Sequence, residues 1–220
     1  MKRLLPYVAL AGAFSLLVWH STVQAYPKPS LNKIAWELDF KHSTPSRIVV
    51  NVPGSAAPKA YWYMPFTVTN NTKEEQQFLP EIELVDENGK VNRSDRNIPK
   101  EVFNAIKVRE GKKLMQPLRE VTGRLLVGAD QAKDSVAIWP EPMERMGNFS
   151  IFVGGLSGEA VWYKDGQETP LNKADWIKNK PDQAGEILRK TLQIDVQVPG
   201  DEFYPGRDKV IAKGERWVMR

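Results

Sequence analysis

Residues 59–72 read KAYWYMPFTVTNNT. Successive side chains of an extended chain point to opposite sides. Trp62, Met64, Phe66 and Val68 therefore share one face, and Tyr61, Tyr63, Thr67 and Thr69 share the other. Aromatic and β-branched residues suit a pleated, half-buried surface, so this run is expected to be the central strand of an antiparallel sandwich with Trp62 and Phe66 as core anchors. It ends at Asn70-Asn71-Thr72-Lys73, where short polar side chains can bond their own backbone and turn the chain.

The same period of two recurs outward from this stretch. Ile34, Trp36, Leu38 and Phe40 alternate with polar residues, and Ser46 to Val52 forms a second strand pattern before Pro53-Gly54. Gln77 to Asp86 reads as the hairpin partner of the central strand, with Pro80 demoting it to an edge or bulged strand. Asn88-Gly89 and Asp165-Gly166 are hairpin turn signals. One short helix is expected around 99–110, with Pro99 at its start, Glu101 in its first turn and Gly111 past its end; it would cross between the sheets or cover an open end. Arg119 to Val127 is expected as a strand, as are 134–139, 149–153, 159–163, 167–171 and 191–198, with short closing strands at 210–212 and 217–219. The fold class is therefore mainly β: an antiparallel, immunoglobulin-like β-sandwich of about nine or ten strands with one helix.

Residues 1–25 have the form of a secretory signal peptide: Lys2 and Arg3, an apolar stretch from Leu4 to Trp19, and Val23-Gln24-Ala25 as a cleavage site after Ala25. The apolar stretch is short of the roughly 20 residues that span a bilayer as a helix, although retention as an N-terminal anchor is the alternative. Residues 26–220 are then one exported domain, periplasmic or extracellular. Removal of Lys2 and Arg3 leaves 29 basic against 27 acidic residues. That balance, without a basic cluster, argues against nucleic acid as a partner.

The absence of cysteine excludes thiol catalysis and thiolate metal sites, and after signal removal the only histidine is His42. One histidine cannot build an ordinary zinc site or supply the base of a convincing serine hydrolase. Gly155-Leu156-Ser157-Gly158-Glu159 starts like a nucleophile elbow but ends on Glu159, and reads as a turn that needs glycine. Asp86, Glu87 and Asn88 precede Gly89 without the spaced loop of a calcium hand, and Asp182 with Glu186 or Asp201 with Glu202 offers nothing better. No cofactor and no metal site is expected. Glu81 and Glu83 project from one strand face, as the carboxylates of a glycosidase could and as any solvated strand face does.

Several stretches together resemble an uncharacterised family of secreted proteins from planctomycete-type bacteria: YWYMPFTVTNNT (61–72), PKEVFNAIKVREG (99–111), DSVAIWPEP (134–142), NFSIFVGGLSGE (148–159), LRKTLQIDVQVPGDEFYPG (188–206) and RWVMR (216–220). The resemblance implies a secreted, mainly β protein and carries no assigned activity or site residue.

What remains is aromatic. Trp36 and Trp62 share parity with apolar neighbours and belong to the core. Trp176 in a polar stretch, and Tyr61 and Tyr63 on the second face of the central strand, are the candidates for stacking on a sugar or filling a partner's pocket, unless the helix or a long loop covers them. The expected function is a non-catalytic exported module that binds a protein or a cell-surface polymer. Beside it stand a polysaccharide-active enzyme using carboxylates alone, and a structural envelope protein held by an uncleaved N-terminal segment.

Overall fold

A computed structural model describes residues 26–141, 147–171, 185–199 and 209–220. The signal segment with Ala25, and Trp176, Asp182, Asp201 and Glu202, lie outside the described residues. The chain is mainly β, with two sheets that are antiparallel apart from one two-residue parallel bridge. The first sheet holds β1 (Asp39–His42), β2 (Ser46–Val50), β3 (Lys59–Thr69), β7 (Gln116–Pro117) and β9 (Lys133–Pro140). The second holds β5 (Glu81–Asp86), β6 (Val91–Arg93), β10 (Phe149–Gly154), β11 (Ala160–Lys164), β12 (Gln167–Pro170), β13 (Glu186–Gln197) and β14 (Ile211–Met219). A small pair, β4 (Gln76–Phe78) with β8 (Gly123–Leu125), bridges them, and the helices are α1 (Lys100–Glu110) and α2 (Leu118–Val121).

β3 is central, as its pattern demands. It pairs with β1 and β2 along one edge and with β9 along the other. Trp62, Met64, Phe66 and Val68 point into the sandwich against Leu84, Ile151 and Ile194 of the second sheet. Pro65 is tolerated here because β1 pairs only from Phe66 onward and β2 only up to Tyr63. The ring nitrogen, which has no hydrogen to donate, thus falls in the gap between those two strands, while the Pro65 carbonyl accepts from the Ser43 N–H.

The chain does not return from β3 in a hairpin. Gln77–Asp86, expected as the neighbour of β3, instead splits at Pro80 into β4 and β5, and β5 lies in the other sheet between β10 and β6. Asn70 explains the departure. Fully buried, its Nδ2 donates to the Leu125 and Glu74 carbonyls, and its Oδ1 accepts from the Thr72 N–H and hydroxyl. This clamp ends β3 and sends the chain across the sandwich. The described residues form fourteen strands, more than expected, because expected runs divide in this way. The 119–127 segment yields α2 and β8 rather than one strand, whereas 210–212 and 217–219 merge into β14.

α1 matches its sequence signals, with Gly111 at φ 65° closing it through an N–H to the Val108 carbonyl. It covers the outer face of the first sheet: Val102 and Ile106 pack with Met115 on Tyr61, Tyr63, Val136 and Ile138. The molecule is therefore three-layered, helix on sheet on sheet. The strap between β6 and α1 ties the two sheets together, since the Ser94 N–H donates to Ile82 and the Asp95 N–H to Ile138. Asp95 sits at φ 58°, and burial pushes its carboxyl up to about 6 despite hydrogen bonds from Ser94 and the Ile138 N–H.

Two outcomes test these contacts. Asn70→Ala should lower unfolding stability by about 3 kcal/mol, because buried carbonyls lose their donors; a urea midpoint within error of the wild type would refute the clamp. Asp95 binds its proton more tightly folded than unfolded, so the stability it contributes is present below its ordinary value of 3.8 and is lost as pH rises through about 6. Asp95→Asn, which tolerates the left-handed backbone, should flatten that slope and stabilise at pH 7 by up to about 3 kcal/mol. Urea titrations at pH 4.5 and pH 7 read it out, and an unchanged slope would contradict it.

Candidate functional site

The second sheet has one face in the core and one face on which no described helix or sheet lies, flanked at one end by Trp36, Gln77 and Thr122. Ile82 and Leu84 of β5, Ile151 and Val153 of β10, and Leu192 and Ile194 of β13 point inward. Their alternates, Glu81, Glu83, Ser150, Phe152, Arg189, Thr191 and Gln193, point outward. Register sets them in rows: Phe152 lies between Glu83 and Gln193, and Glu83 beside Arg93. The next row has no side chain at Gly154.

That bare position opens a cleft of about 740 Å³ over the face, lined by Phe152, Gly154, Thr191, Arg189, Glu83 and Arg220 among others. A second hollow of about 660 Å³ continues it past Arg93 to Arg96, sharing Glu83, Arg93 and Arg220. A third, of about 600 Å³, continues it in the other direction past Phe152 toward Ser150 and Asp195. Together they form a groove that runs along β10 and β13, with the half-buried Phe152 ring in its floor, and turns across β5 to β6.

Charges are distributed unevenly along this groove. Glu83 is held from both sides, by Arg93 Nε at 3.1 Å and by Arg220 Nη2 at 2.9 Å. The Arg220 guanidinium also lies over the Phe152 ring, 4.1 Å from its centre. Asp195 accepts from Ser150, Gln193 and Arg216, and these bonds outweigh burial to hold its carboxyl below the usual range. Arg96 and Arg189 are exposed and have no side-chain partner among the described residues.

One wall of the groove rests on a buried ionic cluster. Lys190 lies on the inward face of β13 with its ammonium 2.6 Å from Glu37 Oε1 and 3.1 Å from Glu159 Oε2; the three side chains are only 5%, 9% and 3% exposed. The ammonium also lies 5.1 Å from the centre of the Trp217 ring. Burial would raise the Glu159 carboxyl, but the Ser30 N–H and hydroxyl and Lys190 outweigh it and hold it below the ordinary range. Burial likewise works against the Lys190 charge, and its two carboxylate partners outweigh that and raise its pKa. The cluster fixes the lead-in to β1 against the Gly155–Glu159 turn, where the Gly158 N–H donates to the Trp36 carbonyl. That turn needs its glycines: Gly155 has φ 83°, and a Cβ there would lie 2.3 Å from the Leu79 carbonyl oxygen.

The expected site residues fare differently. Tyr61 and Tyr63 are 3% and 1% exposed beneath α1, so neither offers a ring for stacking; helix packing on the first sheet overturns that expectation. The Tyr63 hydroxyl donates to Glu110, and burial together with that bond pushes its pKa up to about 12. Trp176 lies outside the described residues. Ser157 Oγ accepts the Glu159 N–H within the turn, while His42 is engaged with Glu215 and Ser43. Asp86 Oδ1 accepts the Asn88 and Lys90 N–H groups of its hairpin. Glu81 and Glu83 do share the outer face. The carboxylates that converge, Glu37 and Glu159, are held by Lys190, and neither is among the residues lining the groove. A glycosidase pair needs one member protonated near neutrality, which is the opposite of the Glu159 environment.

Phe152, Arg189 and Lys190 escaped the sequence reading, yet Phe152 and Lys190 are marked there. Phe152 is an aromatic out of phase with Phe149, Ile151 and Val153, and Lys190 is a cation in phase with Leu192, Ile194 and Val196. A residue that breaks a period of two either presents something to solvent or finds a buried partner.

Replacing Lys190 by Met should lower stability at pH 7 by about 3–5 kcal/mol, since two buried carboxylates lose their cation. In the wild type the Glu159 contribution is present above its unfolded pKa and lost as pH falls, so the deficit of the variant should shrink toward pH 4.5. Equal deficits at pH 7 and pH 4.5 would contradict the pairing.

No protein-family model, no curated protein and no solved structure matches the chain.

Proposed function

We propose that this chain is an exported, non-catalytic β-sandwich module that binds a protein or a cell-surface polymer through the open face of its second sheet. The observation that supports the reading most is the groove across that face, with an aromatic floor at Phe152 and exposed guanidiniums at Arg96 and Arg189 that have no side-chain partner among the described residues. A face used only as solvent-facing scaffold has no need of an outward aromatic ring capped by an arginine. Two of the groove carboxylates are partnered rather than poised: Glu83 is held by two arginines and Asp195 by three donors. Export is supported by the form of residues 1–25 and by the resemblance to secreted β-rich proteins of planctomycete-type bacteria.

The test uses purified residues 26–220 on a panel of immobilised glycans, peptidoglycan and envelope proteins of the native host. Specific retention should be lost in Phe152→Ala and in Arg189→Glu. It should persist in Lys113→Glu, the same change of charge on the exposed chain after α1. Retention that follows net charge alone, or that survives both groove variants, would overturn the assignment of this face.

A further inference from the structure

We infer that the groove takes an anionic polysaccharide whose sugar rings carry carboxylates, an inference that rests on the binding role proposed above and names its ligand class. Four arginines, Arg93, Arg96, Arg189 and Arg220, line its two larger hollows against two glutamates, Glu81 and Glu83. Glu83 is already neutralised by Arg93 and Arg220. Four guanidiniums against two carboxylates leave these two hollows with an excess of two positive charges, with Arg96 and Arg189, one in each hollow, flanking the Arg93–Glu83–Arg220 bridge; the third hollow, with Asp86, Glu87 and Asp195 against Lys213, is acidic and lies outside the proposed site. This layout suits a chain bearing separated negative groups, because each planar guanidinium can grip one carboxylate in a two-pronged fashion.

The floor favours sugar over peptide. The facing segments of β5, β10 and β13 are paired along both edges, β5 with β6 and β10, β10 with β5 and β13, and β13 with β10 and β14. Their amides and carbonyls are thus engaged within the sheet. An extended acidic peptide laid across these three strands would find no main-chain partners for its own amides, and the edge strand at the second hollow, β6, offers only three residues for strand addition. A glycan has no such requirement. Its hydroxyls can donate to Glu81 and exchange hydrogen bonds with Thr191 and Gln77, and a ring face can settle on Phe152 once the Arg220 guanidinium moves aside. Nucleic acid is disfavoured on composition, since 29 basic against 27 acidic residues after residue 25, without a basic cluster, give no phosphate-binding footprint.

Binding of residues 26–220 is measured by calorimetry against polygalacturonate, its fully methyl-esterified form, a neutral β-glucan and poly-glutamate. Polygalacturonate should bind and weaken steeply with added salt, and the ester and the neutral glucan should not bind. Arg96→Ala with Arg189→Ala should weaken it by about tenfold or more, with an unchanged melting temperature showing that the fold is intact. Equal binding of the ester or the neutral glucan would overturn the carboxylate requirement while leaving a polymer-binding module in place. Binding of poly-glutamate alone would overturn the glycan and point to an acidic protein segment. Failure with all four probes overturns the anionic ligand; the retention panel above, if it shows Phe152-dependent binding of another molecule, keeps the binding role, and if it shows none, removes that as well.

Discussion

The structure depends on the burial of both faces of β3. A strand with one wet face can be supported by a single partner layer, but β3 carries Trp62, Met64 and Phe66 on one side and Tyr61 and Tyr63 on the other, all nearly inaccessible to solvent. Burying side chains of this size contributes about 1.5–3 kcal/mol each relative to exposure. Two layers are therefore required, and they are the second sheet and α1. The polar tips escape in different ways: Tyr63 donates to Glu110, and Trp62 Nε1 donates to Glu141, which also receives two bonds from Arg47. These bonds let large amphipathic rings be buried without stranding a donor.

This arrangement leaves the second sheet with an outer face on which no described helix or sheet lies. Because α1 covers the first sheet, the aromatic residues of β3 are removed from any surface role, and the groove over Phe152 becomes the exposed feature with both an aromatic and charged groups. The Glu37–Lys190–Glu159 cluster contributes by position. It pins the lead-in to β1 and the Gly155–Glu159 turn, both of which reach one end of the groove through Trp36, Ser157 and Gly158. A buried ion pair of this kind is not a strong source of stability compared with apolar packing, and its effect is to specify which segments meet.

Local chemistry in the sequence carried much of the fold. The alternation in β3, β10 and β13, the Asn-Gly and Asp-Gly turns, and the helix bounded by Pro99 and Gly111 all act over a few residues, where sterics and hydrogen bonding favour one conformation. Which strands become neighbours was not legible. The turn chemistry of Asn70 is visible in 70–73, but its clamp on the Leu125 carbonyl, 55 residues away, is what directs the chain out of the sheet. Pro80 is equally visible, yet whether it bends one strand or divides two depends on β8 being there to pair with β4.

The candidate site divides along the same line. From the sequence alone come the residue types and the period: no cysteine, His42 as the single histidine after residue 25, and strand faces of known composition, with Phe152 and Lys190 as marks whose meaning needed the fold. Tertiary structure decided what those faces meet. Tyr61 and Tyr63 look like Phe152 by pattern, each an aromatic on the less apolar side of its strand, but a helix lies over the first two and no described helix or sheet over the third. The reason is physical: periodicity is a property of the backbone and fixes direction, whereas burial is a property of the layer opposite and is set by contacts distant in the chain.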